Sequence, residues 1–128
     1  IEDIRQRFGD RVAELVAAET EEKYRGIRPE DSWKKRKDET IAKLKASKDI
    51  DVKRLALADK LSNIRSISKA YAEFGPEIFN EFHQKDSRFH HWYYEAVAEA
   101  VATELCSTEA YKEFVRLIAE VWPESSVQ

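Results

Sequence analysis

The chain is 128 residues long, enough for one compact domain, and combines 42% hydrophobic with 37% charged residues but only three glycines and three prolines. That balance favours long solvated helices and argues against a turn-rich β architecture. A net charge of −3, from 22 basic and 25 acidic side chains, provides no global field that would draw the protein onto nucleic acid or an anionic membrane.

Ile4, Phe8, Val12, Leu15 and Val16 recur at helical spacing among charged residues, which predicts an amphipathic helix over about residues 2–22, weakened slightly by Gly9. Tyr24 to Ser32 holds Gly26 and Pro29 among charges and reads as a loop. Ser32 can then cap a second helix to about Ala46, with a narrow apolar seam of Trp33, Ile41 and Leu44. Asp49 or Asp51 can cap a third. Its Val52, Leu55, Ala56, Leu57, Ala58, Leu61, Ile64 and Ile67 leave little room for a wide polar face, so it is expected to be the most buried helix.

Gly75-Pro76 breaks that pattern, and Pro76 suits the first turn of a short helix carrying Ile78, Phe79 and Phe82. His83 to Arg88 is loop-like. A further helix is predicted from Phe89 to about Leu105, and Ser107 or Thr108 can cap a last one that runs to Trp122 and stops at Pro123. No stretch alternates as a strand would, and no repeat is visible. The expected fold is all-α, a single helical domain over residues 1–128.

No apolar run approaches the roughly 18 residues that a membrane span needs. Cys106 has no intrachain partner, so a reduced, cytoplasmic setting is the simplest expectation. The chain opens on Ile1 and contains no methionine, which leads to the expectation of further residues upstream.

The segment Leu55-Ala-Leu-Ala-Asp-Lys-Leu-Ser-Asn-Ile-Arg65 concentrates the chemistry. Asp59 and Asn63 lie four apart and share one side of a mostly apolar helix. A carboxylate taken out of water must be paired, hydrogen-bonded or bound to a metal. Two readings follow: a salt bridge from Asp59 to Lys60, Arg65 or a neighbouring helix, with Asn63 satisfying a backbone group, or a ligand site. Between Ser32 and Lys60, ten basic residues face five acidic ones. Such a run is either a solvated face or a phosphate-capturing one, in which Arg36 binds bidentately and Lys34, Lys35 or Lys37 act as point charges.

His90 and His91 are adjacent, about 100° apart on a helix, and so do not form an i, i+4 chelating pair. With His83 they read as surface polarity or aromatic packing beside Trp92. Cys106 reads as a small buried thiol at a helix end, and Tyr93 and Tyr94 as core.

Leu57-Ala-Asp-Lys-Leu-Ser-Asn-Ile-Arg65 resembles the late motif of HD-domain phosphohydrolases of the RelA/SpoT-like, alarmone-hydrolase type. Phe8-Gly9-Asp10-Arg11-Val12-Ala13-Glu14-Leu15-Val16 is similar to that family's helix after its acidic motif. Trp33-Lys34-Lys35-Arg36-Lys37 is similar to its Trp and Arg-Lys segment, and Trp92-Tyr93-Tyr94 to its later aromatic triplet. The resemblance spans roughly Ile1 to Leu105. It implies an HD-domain-like helical bundle, incomplete at the N-terminus. Asp59 would be the last protein ligand of a divalent metal, usually manganese, Asn63 would lie against a guanine nucleotide, and Arg36 and Lys37 would hold its phosphates. The implied reaction removes the 3′-pyrophosphate of guanosine tetra- or pentaphosphate.

The family's first His, its His-Asp pair and its Glu-Asp pair are expected before Ile1. This chain alone is therefore expected to bind the metal weakly, to be inactive, and to carry no catalytic residue of its own. The alternative is a non-catalytic helical module that binds a nucleotide or a protein through the basic stretch. Nucleic-acid binding fits less well, because the chain is acidic and aromatic residues are not interleaved with its basic run.

Overall fold

In a computed structural model, which describes residues 2–10, 12–14, 16, 29–82 and 84–123, every regular element is helical. The first helix, α1 (Glu2–Phe8), stops where Gly9 adopts φ 95°, a left-handed conformation that glycine reaches without steric cost. Helical structure resumes at residue 10, so the single helix expected from residue 2 is broken at this glycine. The expected helix end near residue 22 and the start of the loop at Tyr24 lie outside the described residues.

The second helix, α2, runs Pro29–Ala46, so the chain is helical three residues before the expected cap at Ser32. Proline explains the difference: its fixed φ and missing N–H suit the first turn of a helix. Trp33, Ile41 and Leu44 form the buried seam, as expected, and Arg36 is buried between them.

Helix α3 (Ile50–Phe74) is capped by Asp49, whose carboxylate accepts the N–H of Asp51 at 2.9 Å. It ends at Gly75, φ 78°, whose N–H donates to the Tyr71 carbonyl. Leu57, Leu61, Ile64 and Ile67 are buried along one face, whereas Leu55 is 73% and Val52 45% exposed on the opposite one. The expectation that α3 is the most buried helix is therefore incorrect. That position belongs to α4 (Ser87–Leu105), which buries eight side chains because it packs against α2, α3 and α5 together.

Between α3 and α4 a 3-10 helix, Gly75–Glu81, inserts Ile78 and Phe79 into the core. Asp86 caps α4 by accepting the N–H of Arg88 at 3.0 Å, which starts this helix two residues earlier than expected. The last helix, α5 (Glu109–Val121), is capped by Thr108, whose hydroxyl accepts the N–H of Tyr111 at 3.1 Å. Cys106, at the end of α4, is exposed and not the buried thiol expected.

Aromatic side chains join the helices. Trp33 of α2 contacts Phe89, His90, Trp92 and Tyr93 of α4, and Phe79 contacts Tyr71, Phe82, His90 and Trp122. Two cross-helix ion pairs reinforce the packing: the buried Lys53 of α3 donates to Glu104 of α4 at 2.9 Å, and Arg65 grips Glu113 of α5 with two 2.6 Å bonds. No helix among the described residues is long and apolar enough to cross a membrane.

Candidate functional site

Asp59 lies on the outward face of α3 with Leu55, and its side chain is 64% exposed. The expectation that this carboxylate is withdrawn from water is thus incorrect: α3 buries Leu57, Leu61, Ile64 and Ile67 on one side and turns Asp59, together with Leu55, to the other. Its partner is Lys60, whose ammonium stands 3.3 Å from Oδ2. Asn63 follows one turn later and is half-buried.

Lys60 is one residue beyond Asp59 and therefore about 100° further round the helix. That rotation carries its side chain, only 20% exposed, toward α4, where Nζ sits 5.5 Å from the centroid of the Tyr93 ring. Burial pulls the Lys60 pKa down, but the Tyr93 phenol and the Asp59 carboxylate more than offset it, so the pKa is raised and the group is a cation.

Helix α2 supplies a second cation to the same ring. Lys37 Nζ is 4.8 Å from the Tyr93 centroid and 5.8 Å from that of Trp33. One turn earlier, Lys34 lies 4.1 Å over Trp92 and pairs with Asp38 at 3.2 Å. Tyr93 itself is buried. Lysines from two helices thus converge on one aromatic ring of a third.

The two residues expected to hold phosphate fare differently. Lys37 stands in this cationic junction, half-buried. Arg36 is 6% exposed and its Nη1 is shut off from solvent, so it is not part of a solvated basic face. The basic stretch is accordingly heterogeneous, with Arg36 and Lys53 inside, Lys37 and Lys60 against aromatic rings, and Lys43 and Lys45 exposed.

The described histidines pack against aromatic rings. His90 is buried among Trp33, Phe79 and Phe82, and its Nε2 meets the Gln84 carbonyl at 2.7 Å. A carbonyl only accepts, so Nε2 carries the proton. Burial above all, with the Lys37 charge adding to it, lowers the His90 pKa to about 4 and keeps the ring neutral. His91 stacks on Trp122 at 5.0 Å and approaches Glu95 at 3.1 Å. His83 lies outside the described residues.

A divalent metal is a poor fit to these groups by themselves. Asp59 contributes one carboxylate, its nearest charged neighbour is an ammonium, and no group of three or more His, Cys, Asp or Glu among the described residues could hold an ion. Reasoning from sequence named Lys60 as a salt-bridge partner for Asp59 and as the last member of the basic stretch, not as a contact of Tyr93. The signal for its second contact was its rotation of one residue from Asp59, together with the Trp92-Tyr93-Tyr94 run that supplies the ring.

Fold and site define an all-helical domain in which a carboxylate–amide turn adjoins a cationic, aromatic-lined junction. A family profile described as HD domain matches residues 1–86, about two thirds of the chain, and the chain belongs to this family of metal-dependent phosphohydrolases. The match includes Arg36, Lys37, Asp59, Lys60 and Asn63 and ends just before α4. No curated protein and no solved structure is matched by the chain.

Proposed function

We propose that the chain is part of a metal-dependent phosphohydrolase that removes pyrophosphate from guanosine tetra- or pentaphosphate. In this reading Asp59 contributes one ligand to a divalent ion, manganese by preference, with the remaining ligands outside the described residues. Asn63 lies against the nucleotide, Lys37 holds phosphate, and Arg36 shapes the phosphate site from within. The observation that carries the reading is the HD-domain match, which spans the Arg36-Lys37 pair and the Asp59–Asn63 turn in one stretch. The guanine nucleotide and the manganese rest on the likeness of the Leu57–Arg65 segment to alarmone hydrolases.

The test uses the natural gene product, including any residues encoded outside these 128. Pyrophosphate release from guanosine tetraphosphate with manganese is expected, and Asp59→Ala should abolish it while leaving the helical circular dichroism intact. Turnover by Asp59→Ala equal to that of the wild type would remove Asp59 from the site.

A second reading, a non-catalytic nucleotide-binding module, is favoured by the ammonium of Lys60 beside Asp59. Tight nucleotide binding with no pyrophosphate released under any divalent ion would select it.

A further inference from the structure

We propose that His91 and Glu95 of α4 form a two-ligand site for a zinc ion, with Trp122 at the end of α5 holding the imidazole in place. Both ligands lie beyond the residues matched by the HD-domain profile, and neither is among those given to the phosphohydrolase ion.

Three observations carry it. First, the two residues are four apart on α4, so their side chains leave the same side of the helix and can close on one ion, as the adjacent His90 and His91 cannot. Second, Glu95 Oε2 stands 3.1 Å from His91 Nε2, yet this nitrogen is shut off from solvent and makes no hydrogen bond. The oxygen is close enough for one and therefore lies off the axis along which the ring nitrogen donates or accepts. Third, the His91 ring stacks on Trp122, with centroids 5.0 Å apart and planes 9° from parallel, which fixes its orientation without using either ring nitrogen.

A zinc ion accounts for that misaligned contact, where a hydrogen bond does not. Zinc holds nitrogen and oxygen at about 2.0–2.2 Å, which sets neighbouring ligand atoms about 2.8–3.5 Å apart and each about 35–45° off the other's line to the metal. An ion on the Nε2 lone-pair axis therefore needs its second ligand near the nitrogen but off that axis, as Oε2 is. A neutral imidazole with one carboxylate suits zinc, whereas magnesium and calcium prefer all-oxygen sites. The two side chains are 20% and 21% exposed, so water reaches the remaining coordination positions. No third His, Cys, Asp or Glu among the described residues completes the set, so water does, and the ion exchanges readily.

The experiment is calorimetric titration of the untagged 128-residue chain with zinc chloride in a non-coordinating buffer, with the histidine ring resonances followed by NMR. Saturable one-to-one binding is expected, with the largest shifts in the His91 ring and not in that of His90, whose Nε2 is committed to Gln84. His91→Gln and Glu95→Gln should each weaken binding at least about tenfold, since losing a group that merely orients a ligand already costs that much. Asp59→Asn and excess magnesium should leave the affinity for zinc as it is. Circular dichroism checks that each variant is folded. Absence of saturable binding would mean that His91 and Glu95 form an ion pair only, and it overturns the proposal. So does wild-type affinity in His91→Gln or Glu95→Gln, loss of binding in Asp59→Asn, displacement of zinc by magnesium, or shifts confined to other histidines. Pyrophosphate release by the natural product reports on the phosphohydrolase reading, so the two can fail separately.

Discussion

His90 gives the chain an acid-sensitive core. The ring is buried against Trp33, Phe79 and Phe82, and its Nε2–H is committed to the Gln84 carbonyl at 2.7 Å. Burial, with the Lys37 charge adding to it, lowers its pKa from 6.5 to about 4. The unfolded chain, with an ordinary histidine, therefore takes up a proton at a higher pH than the folded one. The contribution is complete above pH 6.5, declines as pH falls, and levels off below 4. A depression of that size corresponds to about 3 kcal/mol. Asp86, held near 2 by the Arg88 side chain and N–H, begins to lose its own contribution only at the acid end of this window, where an unfolded aspartate starts to take up a proton. Urea unfolding followed by circular dichroism, at steps from pH 7.5 to 4, should show this loss in the wild type. His90→Phe keeps an aromatic ring in the same contacts and removes the titration. Its stability should fall less over the same range, by about 3 kcal/mol, because the other groups titrate alike in both proteins. Parallel curves would refute this reading of His90.

Other substitutions probe the packing. Leu57→Ala should cost about 2–5 kcal/mol, whereas Leu55→Ala, two residues away on the exposed side of α3, should change stability by less than about 0.5 kcal/mol in the same urea measurement. Gly75→Ala places a side chain at φ 78° and ψ −167°, a region open essentially to glycine, and should cost about 2 kcal/mol although nothing crowds the new Cβ. Thr108→Ala removes the cap of α5 and should cost about 1 kcal/mol, read from its thermal midpoint.

Much of the fold was legible because caps and breakers act locally. Asp49, Gly75 and Thr108 mark helix ends where their chemistry demands, and the apolar period of α5 needed no tertiary information. Errors arose where local rules compete. Gly9 adopts a positive φ and breaks a helix that periodicity carries through, and Pro29, read as a loop residue, begins one. The run from Val52 to Ile67 contains apolar residues on all sides, so composition alone could not tell which face of α3 is covered; the structure leaves Leu55 and Asp59 outside. At the site, the family likeness pointed to Asp59, Asn63, Arg36 and Lys37, and the salt bridge between Asp59 and Lys60 was among the readings of the residues. The meeting of Lys37 and Lys60 on Tyr93 was not legible, because it joins three helices separated by dozens of residues.

Amide chemical-shift mapping of the 128-residue chain with guanosine tetraphosphate asks most directly whether these residues form one site. Concerted, saturable shifts are expected in Lys37, in the turn from Asp59 to Asn63 and in Tyr93, while the far end of α5 stays still. Shifts confined to other surfaces, or an unchanged spectrum at saturating nucleotide, would contradict the account.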